Sequence, residues 1–358
     1  MTIRLIRLAL SDSGATPAQG VELTDAEIVA KTEAGPTQAW AATGLTRIHS
    51  ICHDWSGNLY GVDDQRHVVV KISEGGKVRW VAGSWTGVAG NNGTYTPVTA
   101  SAARFTAPSG ICCDKSGTIY VADTGNNQIR TIKDGMVSIL AGSAAGAPAF
   151  VDGTGSAARF SGPVDVCVDK AGRVYVADST NNAIRRIENN GKVVTLAGNG
   201  PGVGGDGLAE KGTATAITSV TTTWPSRRAM FKAPDDVSVD AQGVVYVMDA
   251  GNIKIKRITP DGEVNLHSGS GAAGASLGTS PNWAFTCTYR SLYDIDNDES
   301  GNTYVVDYAY PSARSRILKL DYNGRPFEVA DFDSNSYNAG PWAIACSPGQ
   351  KIFVIINY

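Results

Sequence analysis

Three acidic side chains recur at one position of a repeated pattern in this sequence. Asp165, Asp236 and Asp294 stand where similar segments begin, and Asp235 and Asp296 lie beside them. Carboxylate oxygens are the ligands that Ca²⁺ and Mg²⁺ prefer. If the segments converge on one axis, the first three form a cation site, and a metal-dependent hydrolase or lyase is one hypothesis for the function. The alternative is that each Asp caps a local turn or pairs with an Arg of a neighbouring segment.

The other reactive residues do not form a recognisable catalytic set. The chain has four His, and its six Cys lack CxxC spacing, so the sequence predicts neither a zinc site nor a redox pair. Cys52, Cys112 and Cys167 occupy the same position in three consecutive repeats. Free Cys behaves as a small buried hydrophobe, and small size near an axis explains the series.

Aromatic and basic side chains are found in the long links between repeats. Such side chains on loops over a rigid scaffold are typical of surfaces that recognise proteins or glycans, and they also suit RNA. A net charge of −3 gives no general attraction to nucleic acid. The candidate binding residues are Trp85, Tyr95, Arg104, Arg159, Trp224, Arg227, Arg228 and Trp283.

The repeat that carries these residues is clearest between Pro163 and Gly198. Four runs of β-branched and aliphatic residues alternate there with turn residues, which predicts a four-stranded antiparallel meander. Six copies occur in the chain, and five of them contain an Asp-x-x-Gly turn before a strand with a central aromatic residue. A lone meander leaves two apolar faces uncovered, so the copies must pack together. The sequence therefore predicts an all-β, six-bladed β-propeller of four-stranded blades.

The last copy ends after two strands, and the first residues of the chain supply a match for the third. Thr2–Ile6 resembles the third strand Gln128–Ile132, and a fourth strand is predicted near residues 27–31. N-terminal strands would thus complete the C-terminal blade and close the ring, which removes free sheet edges. The prediction is one propeller domain over 1–358, with closing strands in 1–35, blades one to five at 45–84, 107–142, 162–198, 233–268 and 291–330, and the start of the last blade at 339–358.

Two further patterns are predicted to be structural. An acidic and a basic residue recur seven positions apart across the second turn, and a Phe ends each of the two Ser-Ala-Ala-Arg-Phe links. We expect the charged residues to form pairs that fix the turn and the Phe side chains to fill space between blades. The residues are Asp123 and Arg130, Asp178 and Arg185, Asp249 and Lys256, Phe105 and Phe160.

Two of the copies resemble a known repeat. Ala107-Pro-Ser-Gly-Ile-Cys-Cys-Asp, followed from Gly117 by Thr-Ile-Tyr-Val-Ala-Asp-Thr-Gly-Asn-Asn-Gln-Ile-Arg, is similar to an NHL repeat, as is 162–185. The resemblance extends less strictly over about 45–358 and implies a six-bladed propeller. Propellers of this kind include enzymes, RNA binders and protein-binding platforms, so the resemblance does not define a function.

From the sequence alone, the function we predict is a non-catalytic binding or assembly module that presents long loops on one face. Its expected partners are other proteins, in a multi-subunit assembly, or glycans, and a place in a phage virion is a further hypothesis. The alternatives are the metal-dependent hydrolase or lyase and an RNA-binding NHL domain. We expect no cofactor unless Ca²⁺ or Mg²⁺ binds at the axis. Because no signal peptide or apolar span is evident, we expect cytoplasmic synthesis and no membrane insertion.

Overall fold

The computed structural model describes residues 3–8, 47–54, 56, 58–72, 78–84, 86–202, 204–205, 229–277, 286–298, 300–308, 315–332, 341–347 and 351–357. Within these ranges the chain forms 25 strands in six antiparallel sheets, joined by turns and a few short 3₁₀ segments. No helix in these ranges has the length and apolar character needed to cross a bilayer.

The strands follow the chain in blade order. They are β1 (Ile3–Leu8); β2 (Ile48–His53), β3 (Leu59–Asp63), β4 (Val68–Ile72) and β5 (Val78–Gly83) in blade one; β6 (Val98–Thr99), β7 (Ile111–Cys113), β8 (Ile119–Asp123), β9 (Gln128–Lys133) and β10 (Met136–Ala141) in blade two; β11 (Gly153–Thr154), β12 (Pro163–Val168), β13 (Val174–Asp178), β14 (Ala183–Ile187) and β15 (Lys192–Gly198) in blade three; β16 (Pro234–Val239), β17 (Val245–Asp249), β18 (Lys254–Ile258) and β19 (Val264–Ser268) in blade four; β20 (Leu292–Asn297), β21 (Thr303–Asp307), β22 (Ser315–Leu320) and β23 (Pro326–Phe332) in blade five; and β24 (Pro341–Ser347) and β25 (Lys351–Asn357) in the last sheet. The 3₁₀ segments are Thr124–Asn126, Gly155–Ala157, Ser179–Asn181 and Ala250–Asn252.

The six innermost strands stand side by side around one axis. Each of β2, β7, β12, β16, β20 and β24 packs beside the next, and β24 packs beside β2. β1 pairs antiparallel with β25, from Ile3 opposite Asn357 to Leu8 opposite Ile352. The N-terminal strand therefore completes the C-terminal sheet, as predicted, and the ring is closed. We call the end where the inner strands begin the upper face, and the end with the turns between first and second strands the lower face.

The number of complete blades differs from the sequence prediction. Five sheets contain a full four-stranded meander, and two of these carry an extra short strand at the outer edge. The sheet closed by β1 has three strands within the described residues. Six four-stranded blades were predicted; within the described residues five blades are complete and the sixth has three strands. The fourth strand predicted near residues 27–31 lies outside the described residues.

Local sequence explains why each first turn forms. In blade two, Oδ1 of Asp114 accepts the backbone N–H groups of Ser116 at 2.8 Å and Thr118 at 2.9 Å, and its Oδ2 accepts the Tyr120 hydroxyl at 3.0 Å. Gly117 follows with φ +77°, a conformation that glycine adopts without strain. The Asp, the Gly and the aromatic residue of the repeat thus form one hydrogen-bonded unit, which is why they recur together.

Each boundary between neighbouring blades has its own apolar core. Six clusters of buried residues lie between the sheets, one for each pair of neighbours, including the pair formed by blade one and the closing sheet. Burial of apolar surface is the main stabilising contribution in such packing. Because the clusters are continuous around the ring, the blades stabilise one another rather than folding as independent units.

In each of three blades the predicted charge pair and a Phe side chain lie together and are buried. Arg185 lies 2.7 Å from Asp178, and both side chains are fully buried. The guanidinium of Arg185 also stands 5.4 Å from the ring centre of Phe160. Blades two and four repeat this arrangement with Asp123, Arg130 and Phe105, and with Asp249, Lys256 and Phe231. The pairs and the Phe side chains are structural, in agreement with the sequence interpretation.

Candidate active site on the upper face

The three carboxyl groups predicted to bind a cation instead link neighbouring blades. Each begins an inner strand, and its Oδ2 accepts a backbone N–H from the inner strand of the following blade. The donors are Val237 to Asp165 at 3.1 Å, Ile295 to Asp236 at 2.8 Å and Ile344 to Asp294 at 2.8 Å. They therefore neither cap local turns nor pair with Arg, the two alternatives considered from the sequence.

These carboxyl groups also contact one another and share protons. Burial, together with the neighbouring Asp236 charge, raises the pKa of Asp165 and of Asp294 well above the ordinary range for Asp. Both form side-chain hydrogen bonds with Asp236, and two carboxyl groups can do so only when a proton lies between them. The raised pKa values favour the protonated forms of Asp165 and Asp294.

This arrangement does not favour the predicted Ca²⁺ or Mg²⁺ site. One oxygen of each carboxyl group is engaged by a backbone N–H, and a cation would have to displace the protons shared with Asp236. No group of three or more His, Cys, Asp or Glu side chains in the described part of the chain is arranged to hold a metal ion. A cation at Asp165, Asp236 and Asp294 stays a prediction.

A different set of side chains stands beside these carboxyl groups, at the upper ends of the inner strands. In five inner strands the pairing with the second strand skips one residue, which is a β-bulge. Bulges re-aim a side chain and are common beside active sites. The bulge residues are His49, Val164, Asp235, Tyr293 and Trp342, and Ser109 precedes the inner strand of blade two at the same position. We call these six residues the rim.

Most of the rim residues are connected to their neighbours around the ring. Nδ1 of His49 lies 3.2 Å from the carbonyl oxygen of Ser109, and the His49 ring faces Trp342 edge-on at 6.4 Å between centres. Trp342 meets Tyr293 at 4.7 Å between ring centres. The charge of Asp235 acts on Tyr293 and raises its pKa, after burial as the larger cause. Five consecutive blades thus contribute to one polar and aromatic surface.

His49 is in the state expected of a general base. A carbonyl oxygen only accepts hydrogen bonds, so the contact with Ser109 places the proton on Nδ1 and leaves the Nε2 lone pair available. Burial lowers the pKa of His49 below its usual value of 6.5, because a low-dielectric surrounding disfavours the charged form. His49 is therefore neutral at pH 7, with a free nitrogen acceptor.

The pKa of Asp235 is raised, whereas that of His49 is lowered. Its side chain stays open to solvent on the rim, and it makes no hydrogen bond or ion pair with any residue that the structure describes. The surrounding walls nonetheless exclude part of its hydration, and this desolvation, with the charge of Asp236, raises the pKa of Asp235 to about 6. An unpaired carboxyl group with a pKa near neutrality can donate or accept a proton during a reaction.

An aromatic wall borders this acid and base. Tyr293 packs between Trp342 and Tyr308, whose ring centre is 4.5 Å away. The guanidinium of Arg47 stands 5.5 Å from the centre of the Trp342 ring, and Arg47 is held by Asp64, with Nε 2.9 Å from Oδ1. The wall is partly exposed and offers apolar surface beside polar groups, as ligand sites typically do.

The predicted binding residues of the links have structural contacts where they are described. The Tyr95 hydroxyl donates to the carbonyl oxygen of Gly142 at 2.5 Å. The Arg104 guanidinium donates to the carbonyl oxygen of Ala103 at 2.8 Å, and Arg159 repeats this contact with Ala158 at 2.8 Å. These hydrogen bonds to backbone carbonyl oxygens stabilise the conformation of the links. Trp85, Trp224, Arg227, Arg228 and Trp283 lie outside the described residues.

The sequence pattern identified Asp235 only as a neighbour of Asp165, Asp236 and Asp294 and did not single out the rest of the rim. Each rim residue stands immediately before the aligned start of a first strand, at a position where the six copies differ in chemistry. That divergence was a usable signal, because scaffold positions in the same repeats are similar. The bulge that turns these side chains toward one opening is a feature of backbone pairing and has no signature in a single sequence.

Comparison with known proteins identifies the repeats and an enzyme relative. The model of the NHL repeat matches residues 105–132 and 160–187. NHL repeat-containing protein 2 of Bos taurus is 31% identical over 166 residues, which are 43% of this chain and 21% of that protein. Virginiamycin B lyase of Nocardia farcinica is 25% identical over 221 residues, 58% of this chain and 72% of the lyase. The chain thus spans about a fifth of the first relative's length.

A solved structure supports the same fold. The gluconolactonase of Xanthomonas campestris superimposes with a TM-score of 0.51 at 13% identity, over 87% of this chain and 86% of that one. The non-catalytic binding and assembly module predicted from the sequence, including its place in a phage virion, is wrong in the light of these similarities. Virginiamycin B lyase, which is aligned over 72% of its own length, is an enzyme.

Proposed function

The chain is an NHL-repeat β-propeller, and we propose that it is an enzyme of the lyase or hydrolase type that acts at the rim on its upper face. The proposal rests on two groups of the rim. His49 is neutral and has a free Nε2, and Asp235 makes no ion pair or hydrogen bond with the described residues and has a pKa of about 6. The similarity to virginiamycin B lyase supports an enzyme of this class.

The two groups are placed to act on opposite sides of a substrate. His49 belongs to blade one and Asp235 to blade four, and these blades face each other across a ring of six inner strands. In a lyase reaction, Nε2 of His49 takes a proton from carbon, the released electron pair forms the double bond, and Asp235 gives its proton to the departing oxygen. In hydrolysis, His49 instead takes the proton of a water whose oxygen attacks the acyl carbon, the bond from that carbon to the leaving oxygen breaks, and Asp235 protonates that oxygen. General acid–base catalysis of this kind contributes on the order of 10²–10⁴-fold in rate.

The surrounding residues have positioning roles in this proposal. Trp342 and Tyr293 offer apolar area on which a ring or acyl portion of the substrate can pack. The proton-sharing carboxyl groups of Asp165, Asp236 and Asp294 hold blades three to five and the closing sheet in register beneath the rim. A rigid support of this kind matters, because catalysis falls steeply when reacting groups are displaced.

The test is a comparison of rates on two probes, virginiamycin B for a lyase and gluconolactone for a hydrolase. We expect turnover of one probe, and a loss of at least about 100-fold in kcat/KM for both His49→Gln and Asp235→Asn. Val164→Ala, at the same rim position in blade three, is the matched control and is expected to keep its activity within a few fold. Wild-type protein that converts neither probe, or variants as active as the wild type, would contradict the proposal.

A further inference from the structure

Two cysteines from different blades meet near the lower face. Sγ of Cys52, in β2 of blade one, lies 2.9 Å from Sγ of Cys113, in β7 of blade two. A disulfide bond is about 2.05 Å long, so less than about 1 Å of relative movement separates this contact from a covalent bond. The two residues are 61 positions apart in the chain, which is why their spacing gave no indication of a redox pair.

The pair is also within reach of a small oxidant. Both cysteines are free and only partly buried. Cys113 lines a cavity of about 140 Å³ on the lower face, formed by the turns between first and second strands. Access and thiolate character together decide which cysteines are oxidised. A peroxide that enters this cavity meets the Cys113 sulfur, with the Cys52 sulfur behind it.

The remaining cysteines lack this combination. Cys167, Cys287 and Cys346 are buried, although Cys346 also lines the cavity that Cys113 lines. Cys112 lies in the same strand as Cys113 but packs on the other side of it, in the core between blades two and three. Adjacent residues of a strand point to opposite faces, so Cys112 is a matched control for Cys113 in sequence position.

We propose that Cys52 and Cys113 are a thiol–disulfide modification site that reversibly links blades one and two when the protein meets a hydroperoxide. The Cys113 thiolate attacks one peroxide oxygen, the O–O bond breaks, and a sulfenic acid forms with release of water after protonation. The sulfur of the Cys52 thiol then attacks the Cys113 sulfur, the S–O bond of the sulfenic acid breaks, and the hydroxyl leaves with the Cys52 proton as a second water. Two thiols are oxidised to one disulfide by two electrons, and the peroxide is reduced to two waters.

The geometry also defines the order of the two cysteines. Burial is the main cause that raises the pKa of Cys52 well above its usual value, and its contact with Cys113 adds to the effect. Cys52 is therefore held as a thiol and is the weaker first nucleophile, since the thiolate is the reactive form. Cys113, on the cavity wall, is the cysteine that reacts with the oxidant. Cys52 then reacts with the sulfenic acid of Cys113 to form the disulfide.

The disulfide is expected to stabilise the ring. It would close a loop of about 60 residues, and cross-links of that length restrict the unfolded chain substantially. For a chain of this size we expect the melting temperature to rise by about 5 °C on oxidation. The increase should disappear when dithiothreitol is added, because the thiols are restored.

The experiment counts thiols in the full chain before and after treatment with hydrogen peroxide. We expect six free thiols per chain in the reduced protein and four after oxidation, with peptide mapping under non-reducing conditions showing Cys52 joined to Cys113. Cys52→Ser and Cys113→Ser should each keep five titratable thiols and show no rise in melting temperature. Cys112→Ser should still lose two thiols and form the bond.

Two outcomes would overturn the proposal. One is a wild-type chain that retains six thiols at peroxide concentrations that oxidise an exposed model peptide thiol. The other is a cross-link that joins different cysteines, such as Cys112 and Cys167. The wild-type mapping decides the matter even if a serine variant fails to fold, because it needs no substitution.

Discussion

Asp235 and Asp236 are consecutive residues with opposite surroundings. Oδ2 of Asp236 accepts the N–H of Ile295 at 2.8 Å and holds blade four against blade five, whereas Asp235 is open to solvent and unpaired among the described residues. The β-bulge at Asp235 produces this difference, since the pairing with β17 passes from Pro234 directly to Asp236. One residue therefore supports the scaffold and its neighbour is available for chemistry.

The pH dependence of activity should follow Asp235. As the proton donor it must be protonated, so kcat/KM should fall as the pH rises through about 6. His49 must be neutral, and since burial lowers its pKa, the rate should fall on the acid side only at pH values below 6.5. We expect a bell-shaped profile measured by initial rates between pH 4 and 9. An Asp235→Asn variant whose residual activity keeps the same alkaline limb would show that another group is responsible.

Asp165 and Asp294 should make the stability of the protein depend on pH. The folded states of Asp165 and Asp294 hold protons that the unfolded chain releases above about pH 3.8. A raised folded pKa contributes stability at low pH that is lost as the pH rises toward the folded value. Chemical denaturation should therefore give a smaller free energy of unfolding at pH 8 than at pH 5. In Asp165→Asn, whose amide can still donate to Asp236, this decline should be weaker.

A second substitution of Asp165 provides a control for that experiment. Asp165→Ala removes the acceptor of the buried Val237 N–H, and an unsatisfied buried donor costs about 1–3 kcal/mol. We expect this loss at every pH, in contrast to the pH-dependent change in Asp165→Asn. Equal stability of the wild type and the alanine variant would show that the contact between blades three and four does not contribute.

The buried pair in blade three should be far more important than the exposed pair beside it. Arg185 and Asp178 are both fully buried, and loss of one partner leaves an uncompensated charge, so Arg185→Met should cost about 3–5 kcal/mol. Arg186 pairs with Glu188 at 22% and 29% exposure, and Arg186→Met should cost less than about 1 kcal/mol. Urea denaturation of both variants tests the difference, and similar losses would contradict it.

Divalent cations provide a direct test of the sequence-based metal hypothesis. Because Asp165 and Asp294 are protonated and engaged with Asp236, we expect 1 mM Ca²⁺ or Mg²⁺ to leave the melting temperature unchanged at pH 7. Thermal unfolding with and without EDTA measures this. An increase in wild type that is absent in Asp236→Ala would restore the cation site at the axis and change the proposed mechanism.

Much of the fold could be predicted because its determinants are local and repeated. The Asp114 turn, Gly117 and Tyr120 form one hydrogen-bonded unit whose residues lie within seven positions of one another. The pairing of Arg185 with Asp178 was predictable for the same reason, since both flank one turn. The match of β1 to a third strand also followed from a repeated pattern, and the structure pairs β1 with β25 as expected.

The function required relationships between distant parts of the chain, which a single sequence does not record. His49 and Asp235 share a rim because bulges in separate blades turn them toward one opening. Cys52 and Cys113 meet because two inner strands are neighbours. The pKa of Asp165 is raised because the ring buries it and brings Asp236 against it. The sequence by itself determined the blades, whose strands and turns depend on short-range hydrogen bonds and alternating apolar residues. Only the closed ring decided which side chains meet, because their distances and protonation states depend on packing between blades.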